Sequence, residues 1–362
     1  MTYLDNYILE KRLKPSTERL YRIAWKHYSD ATNMTIDELI NEAYEEEVNR
    51  IPHFQMKIKQ HMIDFKEYLL NTDMKISSIN KNLELIIYTY DYLELWTPKH
   101  YKVKSVPRKD IGNAQIIKKE DVRLALDCAN KTIVKAAILF IFSSGCRIVD
   151  TVNISVQDFI DATYEYHHSN DIIEAYNRMQ YHDDIIPSWY IQSVKTSKMY
   201  HTFSSPEATT HILLMLKPRL HHLDPQDKLF NVTKGTIGSY FKTINTNMKW
   251  GKNGTYNYFR GHALRKTFST ILEECGVDYN CRRLMLSHAI DVLDNTYVQY
   301  SVERLKDEYL KALPSLTLYG EVEVVKINDK DSLELKSLRE DYKQLEDKIL
   351  ALQQLLSDRI KE

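Results

Sequence analysis

Apolar residues recur every three or four positions through most of this chain, a period that predicts a protein built largely of helices. Near the N-terminus Leu20, Ile23, Ala24 and Tyr28 share one face of a helix that Ser16 can cap. Thr35-Ile36-Asp37-Glu38 is a capping box, in which threonine and glutamate side chains each satisfy a free backbone N–H of a new helix. A third helix is expected over about 54–70. A fourth begins near Ser77 or Ser78, places Ile79, Leu83, Ile86, Tyr90 and Leu93 on one stripe, and stops at Thr97-Pro98. From Lys99 to Asn113 the apolar period is lost, while Lys, Arg, Pro107 and Gly112 accumulate, which reads as a basic linker.

Beyond the linker an amphipathic helix is expected from Lys118 to Cys128. Ile133 to Phe142 is almost wholly apolar, so that helix should be central, and Gly145 ends it. Trp189 to Val194 and Met199 to Phe203 read as two short strands around the turn Lys195-Thr196-Ser197-Lys198. Helices resume at about 206–221, 233–248, 262–275, 279–287 and 293–311. After Pro314 a strand-like stretch runs from Leu316 to Ile327. Leu335, Leu338, Tyr342, Leu345, Ile349, Leu352 and Leu356 then alternate steps of three and four, a heptad stripe that fits a coiled coil between copies better than one docked amphipathic helix. The fold class is therefore mainly α with a small antiparallel β component, in a helical domain (1–98), a basic linker (99–113), a larger domain (114–314) and a strand-and-heptad tail (315–362).

Composition narrows the function. The 362 residues are 43% hydrophobic with only nine Gly and nine Pro, enough for two domains with sizeable cores. No apolar run approaches the roughly 20 residues that cross a bilayer, and the start, MTYLDNYILEKR, has no apolar signal core, so a cytoplasmic protein is expected. The four cysteines are too few for a disulfide framework and lack zinc-ligand spacing. Net charge is −1, yet residues 211–270 hold ten Lys/Arg against two acids and 101–120 hold six against two. Local basic surface, rather than whole-chain charge, sets attraction to phosphates. The bland counterpart is a solvated charged face.

One constellation carries chemistry. Ser144-Gly145-Cys146-Arg147-Ile148-Val149-Asp150 is followed by Lys195 in the hairpin, by His262-Ala263-Leu264-Arg265, by Leu286-Ser287-His288 and, nine residues on, by Tyr297. In this order the motifs resemble the catalytic domain of the tyrosine recombinase (phage integrase) family, and Lys14-Pro15-Ser16-Thr17-Glu18-Arg19-Leu20-Tyr21 resembles the opening of that family's helical core-binding domain. The resemblance spans about 5–310 and implies a core-binding domain joined to a tyrosine-recombinase catalytic domain. It implies a site-specific recombinase that cleaves duplex DNA through a 3′-phosphotyrosyl link and works as a homotetramer on its recombination sites, without metal or other cofactor. Accessory proteins and a viral, plasmid or archaeal mobile-element setting fit the same picture.

The roles make physical sense. Attack of a phenolate on a phosphodiester builds negative charge that two guanidiniums, Arg147 and Arg265, can grip with paired hydrogen bonds. Lys195 can protonate the leaving 5′-oxygen, with Lys198 as the alternative and a phosphate contact. His262 lies one turn from Arg265; it and His288 can donate to phosphate or accept the phenol proton. Tyr297 is preferred as nucleophile over Tyr300, which follows within one turn. Asp150 is expected to orient a catalytic cation or the neighbouring backbone. Lys102, Lys104, Arg108, Lys109, Lys242 and Lys266 are expected DNA contacts. The chain departs from the family pattern at Lys266 and at Ser287, which stands where glycine is commoner. It also has an acidic stretch at about 158–185, expected to be a surface insertion. A type IB topoisomerase and a non-catalytic DNA-binding regulator on the same scaffold are the alternatives.

Overall fold

The computed structural model describes residues 2–99, 101–104, 116–289 and 300–319. Contacts divide the chain into two compact units, Met1–Gly112 and Asn113–Glu362. Arg108, Lys109, Tyr297 and the heptad tail lie outside the described residues. Those described are mainly helical, with two small antiparallel hairpins. None of their helices is long and apolar enough to cross a membrane.

The first unit packs α1 (Tyr3–Glu10), α2 (Pro15–Thr32), α3 (Ile36–Val48), α4 (Ile58–Leu70) and α5 (Ile76–Tyr92) around Trp25, Tyr28, Phe65 and Tyr90, which are all at most 1% exposed. Trp25 donates its indole N–H to Thr89 at 3.1 Å, so the largest core side chain buries no unpaired donor. The Thr35–Glu38 capping box starts α3 as expected. Other boundaries differ. Ser16 does not cap α2; Pro15 at the first helical position, with its φ already helical, moves the cap to Lys14. The fourth expected helix starts at Ile76 and ends at Tyr92, short of Thr97-Pro98. A Thr2–Asp5 capping box opens α1, a helix the periodicity did not signal.

The second unit is organised by α7 (Thr132–Ser144), whose residues from Ala136 to Ser144 are all buried. It packs against α11 (Pro206–Leu216) and α13 (Gly261–Glu274), while α6 (Lys119–Cys128) and α12 (Lys234–Asn247) flank it. A short helix, α8 (Ile148–Thr151), follows the Gly145 turn. The hairpin β1 (Ser188–Gln192) with β2 (Met199–Phe203) is antiparallel, with Trp189 opposite Thr202. A second hairpin, β3 (Lys252–Asn253) with β4 (Tyr256–Asn257), precedes α13. Then come α14 (Tyr279–Met285) and α15 (Val302–Leu316).

Two expectations are corrected in this unit. The stretch 158–185 is not a peripheral insertion. It forms most of α9 (Val156–His167) and all of α10 (Ile172–Met179), and Phe159, Ile160, Ile172, Ala175 and Met179 are buried in the main core. Phe159 stacks on Trp189 at 5.9 Å, and Phe140 meets the same indole edge-on at 5.0 Å. Apolar spacing at three and four residues was present there among conspicuous acids. Nor does the last helix stop at about 311 and give way to a strand at Leu316: α15 runs through Pro314 to Leu316, and the Thr317 N–H closes on the Leu313 carbonyl.

Gly145 is held by both conformation and space. Its φ is +65°, and a Cβ there would lie 2.3 Å from the Phe268 ring. Gly276 has φ +70° but open space around it. Gly145→Ala is therefore expected to cost about 3 kcal/mol or more and lower Tm by roughly 10 °C, whereas Gly276→Ala should cost only about 1 kcal/mol of left-handed strain. Equal losses for the two in thermal unfolding would refute close packing as the cause.

Candidate functional site

The site begins where α7 stops. Ser144 donates its hydroxyl to Phe140 O at 2.6 Å and accepts the Cys146 N–H at 3.2 Å, while Thr202 of β2 donates to Ser144 O at 2.7 Å. Tyr309 of α15 donates to Ser143 O at 3.0 Å. Side-chain hydroxyls thus take carbonyls that the helix end leaves free, and they tie β2 and α15 to the turn that launches Arg147. Arg147 is the N-cap of α8, with its side chain 21% exposed. Its Nη1 lies 3.5 Å from both Asp150 Oδ2 and Ser193 Oγ. Asp150 is fully buried, and its Oδ1 accepts the Val194 N–H at 2.8 Å. One carboxylate therefore couples an arginine to the base of the β1–β2 turn. In that turn Ser193 pairs with Lys198 O at 2.9 Å, Ser197 adopts φ +58°, and Lys195 and Lys198 are exposed.

The second arginine knits the remaining motifs together. Gly261 opens α13 against α8, so closely that a Cβ would sit 2.4 Å from Ile148. One turn on, Arg265 is only 6% exposed. Its Nη1 donates to Gly145 O at 2.6 Å, and its Nη2 donates to Leu286 O and lies 3.2 Å from His288 Nε2. A guanidinium has five N–H donors and no acceptor, so His288 accepts through Nε2 in this arrangement, and the Arg265 Nε–H and one Nη1–H remain available. Burial, and then the charge of Arg147, push Arg265 down to about 10. His262 and His288 are exposed, and both are held below the usual imidazole range. For His262 the causes are desolvation, then Arg260, Arg265, Arg147 and Lys266. For His288 they are desolvation, then Arg265, Arg147, Arg283 and Lys195. Arg147, Lys195, His262, Arg265 and His288 thus share one electrostatic neighbourhood, with buried Asp150 as the anion inside it.

Tyr297 lies outside the described residues. Tyr300 is occupied elsewhere: its hydroxyl accepts from Asn280 Nδ2 at 2.9 Å, and the Arg304 guanidinium lies 4.8 Å from its ring centre. Lys242 and Lys266 are exposed on α12 and α13. Lys102 pairs with Glu84 at 3.4 Å in the first unit, and Lys104 is exposed there. Three further residues contribute without belonging to any of the sequence motifs. Ser193 contacts Arg147, Tyr200 approaches the Cys146 thiol at 3.3 Å, and Arg283 donates to Ala289 O at 2.7 Å, next to His288. Only Arg283 carried a signal, as a cation just ahead of the Leu-Ser-His motif. Among the described residues no three His, Cys, Asp or Glu side chains converge as a metal site.

Ser287 adopts φ +51° and buries an unpaired hydroxyl. Ser287→Gly should relieve both costs and stabilise the fold by about 1 kcal/mol, read as a rise in Tm; a fall in Tm would show that the hydroxyl has a partner. The depressed imidazoles set a pH dependence as well. Their folded-state pKa values lie below the unfolded value of about 6.5, so protons favour the unfolded chain. Stability should be retained above that pH and decline as pH falls through it. The double variant His262→Asn/His288→Asn should flatten urea-unfolding midpoints between neutral and mildly acid pH, and an unchanged slope would assign the effect elsewhere.

No family model matches the sequence, and no curated protein matches it. Solved structures do. A lambda integrase tetramer bound to a Holliday junction aligns over 83% of this chain and 79% of its own, with TM-score 0.53 and 12% identity. A lambda integrase(75–356) dimer bound to a COC′ core site aligns over 83% and 97%, with TM-score 0.52 and 13% identity. The Tn1549 transposon integrase in complex with transposon right end DNA covers 86% and 99%, with TM-score 0.49 and 15% identity. With its helical first unit, buried α7 and hairpin-bearing second unit, this chain has the fold of the tyrosine recombinases.

Proposed function

We propose that this protein is a site-specific DNA recombinase of the tyrosine type, cleaving and rejoining duplex DNA through Tyr297. The observation that carries the proposal is the gathering of Arg147, Lys195, His262, Arg265 and His288 from four separate segments around a largely unneutralised positive centre. Such a centre is suited to a backbone phosphate and to the extra negative charge of its transition state.

In this reading the Tyr297 oxygen attacks phosphorus and the P–O5′ bond breaks. The phenol proton passes to the neutral imidazole of His262, whose depressed pKa keeps it unprotonated near neutral pH, while His288, its Nε2 lone pair taken by Arg265, donates through Nδ1 to a non-bridging oxygen. Lys195 delivers a proton to the departing 5′-oxygen, with Lys198 at a flanking phosphate. Arg147 and the free N–H groups of Arg265 hold the non-bridging oxygens. A 5′-hydroxyl from a partner strand then attacks the phosphotyrosyl bond and reverses each transfer. Bond energy stays in the covalent link, so the scheme needs neither metal nor nucleotide. Tyr300, bonded to Asn280, is the poorer nucleophile. Lys242 and Lys266, exposed on α12 and α13, and Lys102, Lys104, Arg108 and Lys109 toward and within the linker, would contact DNA. Likeness to a lambda integrase tetramer on a Holliday junction favours a homotetramer on two recombination sites over a topoisomerase or a silent regulator.

Tyr297→Phe should leave DNA affinity within about twofold and abolish covalent capture on a nicked suicide substrate, whereas Tyr300→Phe should retain capture. Because Arg265 both aims free donors at the developing charge and ties Gly145 to Leu286, Arg265→Lys should reduce capture by at least about 100-fold, with circular dichroism matching the parent separating that loss from unfolding. Capture by Tyr297→Phe at the parent's yield would end this assignment.

A further inference from the structure

A cleft of about 530 Å³ opens in the first unit between α4, the residues just before it (His53 and Phe54) and the chain that follows α5 (Trp96, Pro98, Lys99 and Tyr101). Its floor is apolar, with Met62 only 3% exposed. One wall is a ring pair: His53 stacks on Trp96 at 4.8 Å and 20°, and the backbone N–H of Trp96 donates to the Glu47 carboxylate at 2.6 Å. Phe54 is 72% exposed and presents its ring to solvent at the cleft, and Tyr101 adds a further ring to the lining. Lys59, Lys66 and Lys99 complete the lining, which contains no carboxylate. Among the described residues none of the three lysines has an ion-pair partner.

Planar rings on an apolar floor, ringed by unneutralised cations of one sign, match a ligand that is flat, aromatic and flanked by anions. We propose that this cleft binds an unpaired base of a DNA single strand, stacked on Phe54 and the His53–Trp96 pair, with the lysines on its neighbouring phosphates. A peptide would fill the apolar floor equally well, but it gives no reason for four aromatic or imidazole rings and three free cations with no acid among them. The site lies wholly in the first unit and does not depend on Tyr297 chemistry, so it stands or falls apart from the strand-transfer reading.

The test uses the full chain carrying Tyr297→Phe and an octathymidylate with one 5-iodouracil. Irradiation should attach the probe to a peptide containing Phe54, Trp96 or Tyr101. Phe54→Ala, at an exposed position, should weaken binding about tenfold and remove the photoproduct, with Phe54→Trp restoring both. Lys59→Glu/Lys66→Glu should flatten the plot of log affinity against log salt by about 1.4. Circular dichroism matching the parent establishes that each variant is folded. Photoproducts confined to residues 116–319, or a Phe54→Ala variant that binds like the parent, overturn the proposal. Protection of Phe54 from hydroxyl-radical labelling by a synthetic 333–362 peptide, with no photoproduct at the cleft, would assign the cleft to the chain's own tail and also overturn it. Capture of duplex DNA by the parent protein is indifferent to all of these outcomes.

Discussion

The buried guanidinium of Arg265 is the interaction on which the second unit depends. It spends hydrogen bonds on the carbonyls of Gly145 and Leu286, both within the protein, before any ligand arrives. Burying a cation with so little neutralising charge nearby is unfavourable, and the fall of its pKa to about 10 is the signature. The carbonyls and His288 recover part of that cost. What remains is a preorganised positive field that an arriving phosphate would neutralise, and a field already in place needs no reorganisation when charge develops.

The rest of the unit holds that cation still. The end of α7 must turn sharply to bring Arg147 beside Arg265, and only a glycine fits against Phe268 at the turn. The serines before the glycine lie inside the core, where an unpaired polar group is penalised, so every partner found for them is also a positional constraint. Thr202 and Tyr309 supply two, from β2 and from the helix that follows residues 290–299. Asp150 extends the same logic to the lysine-bearing turn through a single backbone N–H. The aromatic core of α9, α10 and β1 supports the hairpin from beneath, which explains why a stretch rich in acids and histidines is nonetheless packed.

The first unit shares none of this machinery. Its core is aromatic and aliphatic, its buried tryptophan is satisfied by a threonine, and its unusual feature is at the surface, in the lysine-rimmed cleft with an exposed phenylalanine. Both units present unneutralised cations close to aromatic or imidazole groups, a combination suited to phosphates and bases. This holds although the whole chain carries a net charge of only −1.

By itself the sequence determined the helical class, the apolar α7 with its glycine stop, the lysine-bearing hairpin, the Thr35 capping box and the order of the Arg, Lys, His and Arg motifs. All of these are local: they follow from periodicity, turn chemistry and spacing within a few residues. Tertiary structure decided what lies far apart along the chain. It placed α9 and α10 in the core, because burial depends on the partner surface offered by Trp189 rather than on how acidic a segment looks. It carried α15 through Pro314, because packing can outweigh one lost hydrogen bond. It brought Gly145, Arg265 and Leu286 together, an arrangement that no local pattern encodes. It also turned Tyr300 toward Asn280 and gathered His53, Phe54 and Trp96 into one cleft, since such meetings depend on how helices pack and not on where residues fall in sequence.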